Sequence, residues 1–342
     1  MELYLATNYT RCPKMTNFLE TKEFMTGAEH ILTAICIPLN IYCIYLIWYV
    51  TPPKMDSVKF AMLHLQLVSF MYDCCMNSLL TPVSYIPTSV GSFYGLFSYL
   101  GVPQRLQTYI VHYNAFLIGM STINVFQNRH SATITIPYRF TRTSTLIIYY
   151  TVCYLLGAIV ISLYFLEDFD NDVLKLEYLK DYPCPPPEYF ESTTSALSGN
   201  ISLAILCVIS CCCFIVTNAF YFALSTVYYL VIAPSSSVSE KTRKMQVKFL
   251  LMLTIQIVIP MMALVVTSFS AVFMIYTGLN SQKLNNIGMS IYCSHGFLSG
   301  ISLIFIQTPY REYTFRFGRK NEIAKISQQK QSVVMIISHP ST

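Results

Sequence analysis

The chain has 342 residues, of which 54% are hydrophobic and only 11% charged, with a formal net charge of +5. An ordinary soluble domain carries roughly a quarter charged residues, so a chain this poor in charge cannot cover its surface with polar groups. The composition excludes a soluble globular protein and implies insertion into a membrane.

The first 23 residues are polar and mixed in charge, without the basic stretch and short apolar core of a cleavable signal. The first apolar segment is therefore expected to act as its own insertion signal. A helix needs about 20 mostly apolar residues to cross a bilayer. Charge-poor stretches of that length fall at 27–50, 60–86, 104–126, 145–165, 199–233, 249–276 and 287–306. They predict an all-α, polytopic bundle of seven transmembrane helices, with an extracellular segment at 1–23 and a tail at 307–342. One further stretch, "PTSVGSFYGLFSYLGVP" at 87–103, is apolar enough to compete. Its prolines and glycines argue for a loop or half-helix at the interface.

Charge orients the bundle. Alternate joints and the tail hold most of the 22 basic residues, among them Lys54, Arg129, Arg139, Lys241, Arg243, Lys244, Lys248, Arg311 and Lys320. Acids gather instead in the loop after the fourth span, from Glu167 to Glu191. Lysine and arginine decide orientation, so the tail is expected inside and the N-terminus outside. Asn8 opens an Asn-Tyr-Thr glycosylation triplet, which makes sense only on the outer side. Of the 12 cysteines, only Cys12 and Cys184 lie outside the spans, both on the expected outer side. There a disulfide persists, and these two are expected to pair.

Seven helices with an outside N-terminus suggest a G-protein-coupled receptor, although architecture alone does not settle function. The rhodopsin-like marks are largely missing: no Asp-Arg-Tyr ends the third span, no Asn-Pro-x-x-Tyr lies in the seventh, and no lysine there could carry retinal. Other landmarks stand in order: "TPPKMDSVK" after the first span, Asp73 in the second, "TPVSYIP" and "GLFSYLGVP" before the third, "FQNRH" at its end, "YPCPPPEYF" in the second outer loop, and "QTPYRE" after the seventh. From Cys12 to Arg311 this set resembles the nematode serpentine chemosensory receptors, most closely the class H group of the Str superfamily. The resemblance implies a receptor for small odorant or soluble cues, coupled to a heterotrimeric G protein in the plasma membrane, in the sensory cilia of chemosensory neurons. A ligand-gated cation channel of the seven-helix olfactory type is the competing class, with its N-terminus inside.

Within that resemblance, Phe126, Gln127, Asn128 and Arg129 stand where the family usually has Phe-Glu-Asn-Arg, and the last three are the expected G-protein contact. Gln127 replaces an acid that could hold Arg129 in a resting pair, so raised basal signalling is expected, with Gln127→Glu lowering it. Arg129 has a plainer alternative as an interfacial anchor. At about 1.5 Å per residue, Asn40, Asp73 and His295 reach one layer of the bundle and are expected to form a buried polar cluster. Pro260 offers a hinge in the sixth span. Tyr310, Tyr313 and Phe317 recur on one side of a short helix expected on the inner membrane surface. Tyr109, His112, Tyr113 and Phe116 are the candidate ligand contacts, in a pocket under the acidic loop suited to small, largely neutral molecules. His64, His112 and His295 sit on three different spans without paired metal-ligand spacing. No phosphate loop or nucleophile elbow appears, so no enzyme, cofactor, metal or nucleic-acid partner is expected.

Overall fold

Short polar side chains, Thr21, Asp170, Asn200, Ser239 and Ser281, cap the starts of five of the described α-helices by accepting N–H groups that a first turn leaves unpaired. The computed structural model describes residues 1–13, 17–133, 142–165, 168–233 and 239–316. Arg139, Phe317, Arg319, Lys320 and the rest of the tail lie outside the described residues. After α1 (Glu2–Thr7), Thr21 Oγ1 accepts from Phe24 N to open α2 (Lys22–Tyr45), which continues as a wider π-helical turn over Leu46–Val50. α3 (Asp56–Cys74) likewise widens over Cys75–Leu80 and stops at Thr81, whose φ of 48° turns the chain out of the helix.

β1 (Pro82–Ser84), β2 (Val90–Phe93) and the one-turn α4 (Leu96–Tyr99) follow, then α5 (Gln104–Ala132) and α6 (Thr143–Ser162). Asp170 caps α7 (Asn171–Asp181). After β3 (Ser195–Ala196), Asn200 caps α8 (Ile201–Val227), extended by a turn at Tyr228–Ile232. Ser239 caps α9 (Glu240–Thr277), which runs through Pro260 and ends on Gly278 at φ 69°, a left-handed stop that glycine takes without strain. α10 (Gln282–Cys293) and α11 (His295–Ile306) are bent by 47° at Ser294. Residues 308–316 form a last helix.

The molecule is mostly helical, and two sequence expectations change at its outer end. The second long helix ends at Leu80 rather than near 86, and 87–103 is neither loop nor half-helix throughout. Instead β2 pairs antiparallel with β1, Val83 opposite Ser92, and with β3, Val90 opposite Ala196. The all-α expectation therefore holds for the bundle and fails for this small sheet. Its second partner is a segment about a hundred residues downstream, which no local pattern in 87–103 could announce.

Among the described residues, four helical segments are long and apolar enough to cross a membrane, Lys22–Val50, Thr143–Ser162, Ile201–Ile232 and Glu240–Thr277, or five if the bent α10–α11 pair is one span. α3 and α5 are more polar for a packing reason. α5 sits centrally against α3 and α8 and buries Gln107, Thr108, Asn114, Ser121, Thr122 and Gln127. A helix surrounded by protein need not be apolar all round.

The acidic loop folds into a cap. Cys12 and Cys184 are bonded, and Tyr4 and Tyr9 donate to the carbonyls of Pro183 and Pro185. Lys175 is buried, with Nζ donating to Thr194 O at 3.1 Å and standing 5.4 Å from the Tyr189 ring centroid. Burial pulls its ammonium below the usual lysine range, against the charge of Asp172. Lys22 Nζ meets Glu191 Oε1 at 2.5 Å. Burial pushes the Glu191 carboxyl up, but the Lys22 hydrogen bond and charge outweigh it and hold the group below its ordinary value. Its contribution is thus complete above the unfolded value of about 4.3 and lost as pH falls through the lower folded value. Thermal unfolding of the purified protein should show stability falling from about pH 4.3 downward, and falling less over that interval in Lys22→Met. Equal slopes would remove the pair from the account.

Candidate functional site

Three polar features line up along the bundle, from the capped end to the opposite one. Under the sheet lies a cavity of about 290 Å³. Val83 and Ser92 roof it, Thr108, Val111 and His112 of α5 form one wall, and Ile205, Ala271 and Met289 of α8, α9 and α10 form others. Of the four expected ligand contacts only His112 lines it, with Nδ1 2.8 Å from Thr108 O. Tyr109, Tyr113 and Phe116 take the adjacent stripe of α5. Their rings stack in series, 5.7 and 6.2 Å between centroids, and Phe116 presses on Gly157 of α6. Positions 109, 113 and 116 share a helix face, and 108, 111 and 112 share the next. The sequence showed an aromatic stripe without showing which neighbour it met.

Midway along the bundle, Asp73 is 2% exposed. Its Oδ2 accepts from Asn40 Nδ2 at 2.8 Å, and Asn40 Oδ1 accepts from Gln66 Nε2 at 2.6 Å. Its Oδ1 accepts from the backbone N–H of Gly296 at 3.1 Å. The bend at Ser294 explains this last bond. Breaking the helix exposes the first N–H groups of α11, and a carboxylate is favoured at such an end by hydrogen bonding and by the helix dipole. Two donors from two other helices, Asn40 of α2 and the Gly296 backbone of α11, compensate for burying the carboxyl, and Gln66 holds Asn40 in place.

His295 does not join this cluster. Its ring packs against Tyr72 with centroids 5.7 Å apart, it borders a small void with Pro260 and Ser299, and Nδ1 has no partner among the described residues. The expectation was one residue out: the backbone of Gly296, not the imidazole of His295, meets Asp73. Gln66 was missed because an amide in an apolar run resembles a simple interhelical hydrogen bond.

Glu29 was missed as well. It is fully buried, with Oε1 accepting from Cys293 Sγ at 3.5 Å and Oε2 without a partner among the described residues. Its place near the start of the first apolar run made it look interfacial.

At the other end of α5, Arg129 is 8% exposed and its guanidinium stands 4.6 Å from the centroid of the Phe249 ring of α9. Among the described residues no acid pairs with it, and Nε has no partner. Gln127 points elsewhere, donating to Ser131 Oγ at 2.8 Å and accepting from Tyr150 OH of α6 at 3.5 Å. Residues two apart on a helix do not face each other, so an acid at 127 would not reach Arg129 without leaving that position. Asn128 Oδ1 has no partner among the described residues.

Pro260 is buried within α9 and deprives the Gln256 carbonyl of its usual donor. The Gln256 side chain meanwhile accepts from Gln307 Nε2 at 2.7 Å, tying α9 to the end of α11. Tyr310 is wholly buried and pairs with Thr51, while Tyr313 OH pairs with Tyr45 OH. The last helix is thus packed on the end of the first long one and not merely laid on a surface.

Comparison with known proteins gives two findings. A sequence model of the family described as "Serpentine type 7TM GPCR chemoreceptor Srh" matches residues 20–320. The chain is also 25% identical over 315 residues to serpentine receptor class H-72 of Caenorhabditis elegans, an alignment that spans 91% of this chain and 90% of that protein.

Proposed function

Because the chain belongs to the Srh family of serpentine seven-helix chemoreceptors, we propose that it binds a small-molecule cue in the capped cavity and signals through a heterotrimeric G protein. The family is one of chemoreceptors and not of enzymes. In this reading seven helices cross the lipid bilayer, with the N-terminus and its exposed Asn8 outside and the tail in the cytoplasm. The two polar helices, α3 and α5, count as crossings because neighbours cover their polar faces. The receptor works in the plasma membrane, in the sensory cilia of chemosensory neurons.

The observation that carries the reading is the pairing of two ends on one helix. α5 contributes Thr108 and His112 to the cavity at one end and, at the other, sets the buried Arg129 against Phe249 of α9, beside a basic surface. That surface includes Lys241, Arg243, Lys244 and Lys248 on α9, whose 38 residues span about 57 Å, well beyond the roughly 30 Å hydrocarbon core. The helix thus projects past the membrane on the side where positive charge collects. Asp73 ties α2, α3 and α11 midway, and Pro260 gives α9 a place to bend.

A channel of the seven-helix olfactory type would carry its N-terminus inside. Antibody labelling of an epitope placed ahead of Asn8 on intact cells separates the two. The receptor reading expects full labelling without permeabilisation, and a glycosidase-sensitive mass shift that Asn8→Gln abolishes. Labelling that appears only after permeabilisation would sink this orientation.

A further inference from the structure

The cavity is closed above and slack at one side. All four residues of β2 are buried, and the sheet they belong to is held by the loop that Cys184 ties to the N-terminal segment. The side is different. α8 packs on α5 and α6, and α9 packs on α10 and α11, but α8 and α9 scarcely meet along their outer halves. Among the described residues, the closer approach of α9 to the chain of α8 is at the turn Tyr228–Ile232, toward the other end. Between the splayed halves, Ile205 and Val208 face Ala271 and Ile275, all four half-buried and all four lining the cavity.

The chemistry of the walls narrows what fits there. Among the described residues, no Asp, Glu, Lys or Arg lines the cavity. Most of its polar groups are already engaged with protein. Thr108 and Thr267 donate to the carbonyls of Gln104 and Ala263, Ser89 to that of Ser198, and Ser84 to Asn285 Oδ1. A charged ligand would lose its hydration without gaining a counter-charge, a cost no apolar wall returns.

We propose that this cavity fills sideways, from the outer half of the bilayer through the gap between α8 and α9, and that its ligand is an uncharged, mostly apolar molecule that partitions into lipid first. The proposal rests on the reading that these helices cross the membrane with the cap outside. Lipid concentrates such a molecule at the gap, so the sealed roof does not hinder it. The hydroxyls of Ser268 and Ser270, which line the cavity and make no hydrogen bond among the described residues, are left for one polar group of the ligand.

The test uses the full chain in phosphatidylcholine nanodiscs and a diazirine-bearing alkanol of about ten carbons, sized to the cavity. Analogues of the same chain ending in a carboxylate or a trimethylammonium serve as charged controls, and mass spectrometry maps the labelled residues. Labelling of Val208 and Ile275 by the alkanol should exceed that by either charged probe about tenfold, relative to lipid-facing Leu155 and Ile159 of α6. Ile205→Trp and Ala271→Trp, on opposite sides of the gap, should each remove the wall labelling and spare α6. Equal labelling by charged probes overturns the ligand class. Wall labelling that survives both tryptophans overturns the lateral route. None of these readings requires a G protein, so a chain that labels as expected and never promotes nucleotide exchange contradicts the signalling reading and leaves this one standing.

Discussion

Gly296→Ala is expected to remove most of the folded protein from the cell surface. A Cβ at that position would overlap both carboxyl oxygens of Asp73, inside any permitted contact. Neither side can yield cheaply, because the carboxyl is held by Asn40 and the backbone of α11 is held by the helix it starts. Relief requires moving α11 away, which breaks the bond from Gly296 N. Overpacking and loss of a hydrogen bond to a buried acidic group together cost about 3 kcal/mol or more, a large part of any domain's stability. Asp73→Ala leaves room for the methyl group. In that background Gly296→Ala should cost less than about 1 kcal/mol, so the two changes are strongly non-additive. Thermal unfolding in detergent and surface labelling both measure this. Additive losses would show that the two residues do not touch.

Phe249→Ala is expected to raise basal signalling per receptor at the surface; truncating this buried core ring also costs about 3 kcal/mol or more of stability, so signalling is read against surface level. The ring is the one close partner described for the Arg129 guanidinium, and a desolvated cation–π contact is worth about 1–2 kcal/mol. Losing it from the resting arrangement shifts a two-state balance roughly five- to thirtyfold toward release of the arginine. Arg129→Ala should do the reverse and abolish coupling, and Arg129→Lys should not restore it, because a compact ammonium lacks the planar fork. Gln127→Glu, which the sequence nominates as the substitution that quiets the receptor, should have little effect, since residue 127 faces α6 and not the arginine. In the proposed reading the resting hold on Arg129 is the Phe249 ring, where the family pattern suggests an acid.

The sequence carried the long-range order and misjudged the phase. Helix rise alone brought Asn40 and Asp73 to one level, and they bond. The same arithmetic chose His295, yet a bend of 47° decides which group of the pair 295–296 meets Asp73, and bends are a property of packing rather than of hydropathy. The ligand stripe failed for a related reason. An aromatic run on α5 is equally consistent with a cavity wall and with a seam, and only the small Gly157 opposite Phe116 shows that it is a seam. Gly296 was invisible as a functional residue because its meaning is the absence of a side chain. The sheet was invisible because its central strand is completed by residues far along the chain. Charge was legible in part: the acidic loop forms the cap, and the four basic residues of α9 stand together near its start.

The most direct measurement is nucleotide exchange on heterotrimeric G proteins by the purified chain and its Phe249→Ala and Phe249→Ala/Arg129→Ala variants, with no ligand added. Exchange with Phe249→Ala should rise about five- to thirtyfold above wild type for at least one G-protein class, and adding Arg129→Ala should return it to the receptor-free rate. Exchange that stays at the receptor-free rate in Phe249→Ala across all classes, with the variant folded, would contradict the claim that this chain signals through a G protein by way of Arg129.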